Sequence, residues 1–209
     1  MKSYPTIGTL VILILIVLSG CSETLNMRTW SSSEDYDKHF KKLLIMGLVN
    51  NVNLRNDVEN EVVFAARKAE ILSTNGMSLF PPELGKPFED IERVKSRLRE
   101  GGFDGIITVT LIDVQSERYT PSDTQYQPFV YYDRFRNYYY QTYELVYKPG
   151  YFTRNTRYFI ETNFYELGTG KLVWSGRSST FEPFELEEYL PKYASALFNE
   201  LKREGITQN

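Results

Sequence analysis

Along the chain, apolar residues recur at spacings that mark successive elements. The run Leu43 to Val49 (Leu-Leu-Ile-Met-Gly-Leu-Val) is unbroken and bounded by polar residues, which predicts a strand buried on both faces. Asn56 followed by Glu59 has capping-box spacing. Behind it Val58, Val62, Ala65, Ala66, Ala69 and Leu72 share one helical face, and Asn75-Gly76 supplies a stop. A short strand, Met77 to Phe80, leads into Pro81-Pro82. Pro87 suits the first turn of a second helix, with Phe88, Ile91, Val94 and Leu98 as its apolar face and Gly101-Gly102 as its end.

Ile106 to Val114 is rich in β-branched residues and predicts a strand. Residues 155–167 alternate instead. Tyr158, Ile160, Thr162 and Phe164 fall on one face, and Phe159, Glu161, Asn163 and Tyr165 on the other. Gly168-Thr169-Gly170 then turns the chain into a second hairpin strand, Lys171 to Phe181. A final helix over about Glu185 to Glu204 buries Leu186, Leu190, Tyr193, Leu197 and Leu201. Pro191 predicts either a start nearer Leu190 or a kink. The expected fold class is α/β (α+β-like), with a mixed sheet of about five strands and three helices. Its order is β-α-β-α-β, a Tyr-rich insertion, then β-β-α.

Upstream the pattern changes character. A leader carrying Lys2 precedes an apolar stretch from Leu10 to Leu18, which runs into Ser19, Gly20 and Cys21, the chain's single cysteine. Nine apolar residues are too few to span a bilayer, which takes roughly 20 in a helix. The arrangement resembles a bacterial lipoprotein signal peptide and its lipobox. The resemblance implies cleavage between Gly20 and Cys21, acylation of Cys21, and stable attachment through several acyl chains, since one chain holds only reversibly. Residues 1–20 are then the signal peptide and residues 21–40 an acylated N-terminus and flexible tether, polar and without apolar period. Residues 41–205 form a single domain. Ser22 follows the cysteine where an inner-membrane retention signal is typically Asp, so the implied location is the outer membrane, facing the periplasm.

Charge and composition exclude more than they assign. Without Lys2 the chain from Cys21 carries 23 Lys plus Arg against 27 Asp plus Glu, a mild acidic balance with no long-range attraction for nucleic acid. With one cysteine there is no internal disulfide, so stability rests on core packing. His39 is the sole histidine and lies beside the tether. Gly168-Thr169-Gly170-Lys171 lacks the spacing of a phosphate loop and joins two strands, so it is a turn. Glu187-Glu188 and Glu89-Asp90 sit at helix starts, where they complement the macrodipole. The expectation is a non-enzymatic protein with no cofactor, no metal and no catalytic residue.

The unusual stretch is the insertion, residues 119–151, with ten tyrosines, Phe129 and Phe135, and balanced charges. A connection of this length is usually functional or disordered, and its aromatic content argues against disorder. Tyrosine brings a rigid ring and a hydroxyl to an interface at low entropy cost. Tyr131, Tyr132, Arg134, Arg136, Tyr138, Tyr139, Tyr140 and Tyr143 are therefore the candidate partner-binding residues. The competing reading is a β-hairpin or arm folded over its own sheet, with the rings serving as packing. A glycan-stacking groove and a pore-forming hairpin rank below both.

Taken together, the lipobox, the element order, Gly101-Gly102-Phe103-Asp104-Gly105-Ile106-Ile107-Thr108-Val109, Glu161-Thr162-Asn163-Phe164-Tyr165-Glu166-Leu167 and Thr169-Gly170-Lys171-Leu172-Val173-Trp174-Ser175 carry a family likeness. They are similar to uncharacterised bacterial envelope lipoproteins whose α/β domain is akin to those of the peptidoglycan-synthase activator LpoB, the TolB N-terminal domain and the curli secretion protein CsgG. The resemblance implies a membrane-anchored module that binds an envelope protein or self-associates, the alternative being a ring or secretion-complex subunit.

Overall fold

The computed structural model describes residues 25, 27–32, 40–80, 90–114, 133–147 and 157–207. Cys21 and the leader lie outside them, as do His39, Pro87 and Phe88. Among the described residues no helix is long and apolar enough to cross a membrane.

Among the described residues six strands and five helices make a mixed α/β fold. The strands are β1 (Met27–Ser31), β2 (Lys42–Leu48), β3 (Leu72–Asn75), β4 (Gly105–Asp113), β5 (Tyr158–Glu166) and β6 (Leu172–Ser178). The helices are α1 (Val52–Lys68), the single turn α2 (Gly76–Leu79), α3 (Ile91–Glu100), α4 (Phe135–Val146) and α5 (Leu186–Arg203). One sheet holds the strands in the order β1-β6-β5-β4-β2-β3. β2 is parallel to β3 and β4, while β4, β5, β6 and β1 run antiparallel in succession.

Both faces of this sheet are covered. On one, α1 and α5 pack over Leu43, Ile45, Ile107, Val109, Ile160, Phe164 and Trp174. On the other, α3 and α4 pack over Leu44, Met46, Ile106, Tyr165 and Leu172. The strand alternation read for Tyr158, Ile160 and Phe164 against Tyr165 is the division between the two cores. The indole of Trp174 lies across Gly176, where an added Cβ would stand 2.2 Å from Cη2. Only glycine leaves room for that ring two residues along the same strand.

Several expected boundaries move. β1 lies inside the stretch expected as tether: Met27 to Ser31 pair antiparallel with Ser178 to Trp174. Five half-exposed residues give no readable alternation, and the partner strand lies almost 150 positions downstream. α1 begins more than a turn before Asn56. Its cap is Asn51, whose side-chain oxygen accepts from Leu54 N at 3.0 Å. The chain leaves that helix at Ala69 and Glu70, the latter left-handed at φ 60°, and not at Asn75-Gly76. β3 accordingly occupies Leu72–Asn75, and the segment expected as a strand at Met77 to Phe80 is mostly the turn α2, capped by Asn75. α5 runs through Pro191 from Leu186.

Candidate interaction surface

The insertion's described part is helical. Phe135, Tyr138, Tyr139, Thr142, Tyr143 and Val146 are buried, at spacings of three and four that place one face of α4 on the sheet. Read with strand parity, the same positions put aromatics on both faces, whereas helical spacing gathers them on one. Helical phasing was the available signal. A backbone anchor fixes where α4 starts: Phe135 N donates to Gly170 O at 2.9 Å, beside the bridge of Arg134 to Lys171.

The candidate contact residues therefore divide. Tyr138 is fully buried, Tyr139 is 4 % exposed and Tyr143 9 %, so these three are core and present no face to a partner. Tyr139 packs against Phe135 and Tyr143, with ring centroids 6.0 and 5.9 Å apart, and Tyr143 stacks on Tyr147 at 4.0 Å. Arg134 and Arg136 are exposed and Tyr140 half-buried. Arg134 donates to Thr169 O at 3.0 Å, and the Arg136 guanidinium stands 5.8 Å from the Tyr140 ring. Tyr131 and Tyr132 lie outside the described residues. Only the outer flank of α4 is left as surface.

Beneath α4 runs a buried polar belt that the sequence did not announce. The Tyr138 hydroxyl lies 2.8 Å from Thr110 Oγ1 and donates to Glu161 Oε1 at 3.2 Å. Glu161 is fully buried and pairs with Arg177 at 3.2 Å, whose guanidinium also covers the Phe159 ring at 4.7 Å. Ser175 Oγ donates to Asn163 Oδ1 at 2.5 Å. Tyrosine is suited to this position because its ring fills the core while its hydroxyl satisfies a buried carboxylate.

A second buried ion pair holds α1 to the carboxyl end of β2. Glu59, fully buried, accepts from Arg55 Nε at 2.8 Å, Gly47 N at 2.9 Å and Met77 N at 2.7 Å. Desolvation raises the Tyr147 hydroxyl above its ordinary pKa, opposed by the neighbouring Arg55 guanidinium. Burial also raises Tyr143, with Tyr147 adding to the effect. The Glu59 carboxylate, with its one guanidinium and two backbone amide donors, thus serves packing, and among the described residues no cluster of His, Cys, Asp and Glu could hold a metal ion.

A concavity lies elsewhere, on the outer side of α1 and α5. It is an open groove of about 950 Å³. Leu54, Phe64, Leu186 and Leu190 supply apolar lining, and Asp57, Glu61 and Glu187 supply negative charge, with no basic residue among the lining side chains. Phe64 is 51 % exposed. A smaller hollow of about 490 Å³ continues past Phe64 to the open edge at Ser73, Thr74 and Asn75, where Leu72 is 68 % exposed.

No protein-family model matches this sequence, and no curated protein does. Among solved structures the chain is similar to two crystal forms of the PelC dodecamer from Paraburkholderia phytofirmans. One match has 10% identity and a TM-score of 0.44, covering 83% of this chain and 96% of that one. The other has 9% identity and a TM-score of 0.42, covering 82% and 96%.

Proposed function

We propose that the protein is a membrane-anchored cell-envelope lipoprotein whose α/β domain is a non-enzymatic protein-binding module. Cys21 as the acylated residue rests on the lipobox pattern, and the outer-membrane location on Ser22 at the position after it. The observation that carries the binding role is the groove between α1 and α5. Phe64 stands half-exposed beside an apolar floor rimmed by three carboxylates, with the Lys68 ammonium 4.3 Å from its ring. An amphipathic helix with basic flanks has the complementary chemistry: apolar anchors at helical spacing for the floor, Lys or Arg for Asp57, Glu61 and Glu187. The exposed flank of α4, with Arg136 and Tyr140, is a second and smaller contact candidate.

The test is photo-crosslinking in the envelope from position 64, with position 99 on the opposite layer as control. A distinct partner captured at 64, and lost when Glu61→Lys and Glu187→Lys are combined, is the expected result. Crosslinks solely between copies of the chain would instead favour a self-assembling subunit. That second reading has its own observation: among the described strands β1 and β3 stand at the two edges of the sheet, and sheet edges are where strands of another copy pair.

A further inference from the structure

The position of β1 sets how the domain sits on its membrane. β1 runs from Met27 opposite Ser178, so its first residue lies at the end of the sheet where β6 and β4 finish and β5 begins. Between Cys21 and Met27 stand residues 22–26, and six Cα-to-Cα steps reach about 20 Å at full extension. A freely jointed 20-residue tether, the expectation from sequence, would leave the domain without orientation. A leash this short, ending in a paired strand, does not.

Leu72 marks the diagonally opposite corner. It starts β3, the other edge strand, and pairs with Lys42 at the opposite end of the sheet. Five interstrand spacings and about seven residues of strand length separate the two corners, roughly 30 Å in all. At this corner the described residues Ser179, Arg157 and Glu182 add no net charge. Ser179 is exposed and uncharged, and Arg157 and Glu182 neutralise one another at 3.2 Å.

We infer that the Met27–Ser178 corner is held against the bilayer that carries the anchor, with β1 beside the headgroups, and that the Leu72 corner points away from it. The inference rests on the lipoprotein reading of Cys21. It assigns different surroundings to the first and last strands of the sheet: β1 lies near lipid headgroups, while β3, Leu72 and Phe64 are offered to the aqueous compartment.

The experiment uses the full chain, purified from membranes in its acylated form and reconstituted into phosphatidylethanolamine–phosphatidylglycerol vesicles. Acylation consumes Cys21, so a cysteine introduced by Ser179→Cys or Leu72→Cys is the single site for a fluorophore; both positions are exposed. Energy transfer to headgroup-labelled lipid is expected to be several-fold stronger from position 179 than from 72. Ten Gly-Ser residues inserted after Ser22 should bring the two signals together. Equal transfer from both positions with the native leash, or stronger transfer from 72, overturns the orientation even though the protein floats with the vesicles. Failure to float, with no palmitate incorporated, overturns the lipoprotein reading and the orientation with it.

Discussion

The two faces of the sheet are built from different materials. The α1 and α5 side joins aliphatic residues, Val58, Val62, Leu190, Leu197 and Leu201 against Ile45, Val109 and Ile160, to the rings of Phe164, Trp174, Phe181 and Phe198. Its polar contacts include the hydroxyl pair of Thr162 and Tyr193 and, at the end of β2, the Arg55–Glu59 pair. The α4 side is aromatic and carries the Tyr138–Glu161–Arg177 belt. Apolar packing tolerates changes of shape at a cost graded by volume. A belt of buried charge depends on every partner being present, because one left alone costs its full desolvation.

That difference can be broken most severely by removing α4. Deleting 133–147 uncovers Tyr165, Ile106 and the Glu161–Arg177 pair, and cooperative thermal unfolding should vanish. A deletion variant that still melts in one transition near the parent would show α4 to be an appendage. Next in size is Glu161→Leu, expected to cost about 3–5 kcal/mol because Arg177 stays buried without its carboxylate. Adding Arg177→Leu should recover much of that loss in denaturant titration, and a double variant no better than the single one would refute the pairwise account.

A matched pair then compares the faces directly. Leu197→Ala removes aliphatic volume and should cost about 2–5 kcal/mol. Tyr138→Phe removes one oxygen and almost no volume, and should still cost about 1–3 kcal/mol, since Glu161 and Thr110 lose a hydrogen-bonding group. Equilibrium urea unfolding reads both; a neutral Tyr138→Phe would mean the belt is satisfied without it. The smallest effect lies on α1. Asn51→Ala should cost about 1 kcal/mol through the lost cap, whereas Asn56→Ala, half-buried within the helix, should stay within about 0.5 kcal/mol. The reverse order would restore the boundary read from sequence.

Legibility followed the same division. The α1 and α5 face was readable because Val, Leu and Ile report burial through spacing alone: Leu186, Leu190, Tyr193, Leu197 and Leu201 are buried as expected, and so is the whole run Leu43 to Val49. The aromatic face was not, because tyrosine serves surfaces and cores alike and its spacing was tested against the wrong period. β1 escaped for another reason. An edge strand of five residues depends on its neighbour, and that neighbour, β6, is distant in sequence. As for the groove, Phe64 occupies a helix position outside the apolar stripe, and periodicity records such a residue only as an exception.

The hairpin turn at Gly168–Gly170 holds a longer-term consequence. It accepts the first amide of α4 through the carbonyl of Gly170, a residue at φ 71°, and it does so with main chain alone. The seat of the covering helix is thus written in backbone geometry, which glycine at that one position preserves. Diverging descendants could exchange the aromatic residues of the helix one after another without shifting where it begins, while a side chain at position 170 would put that starting point under strain in a single step.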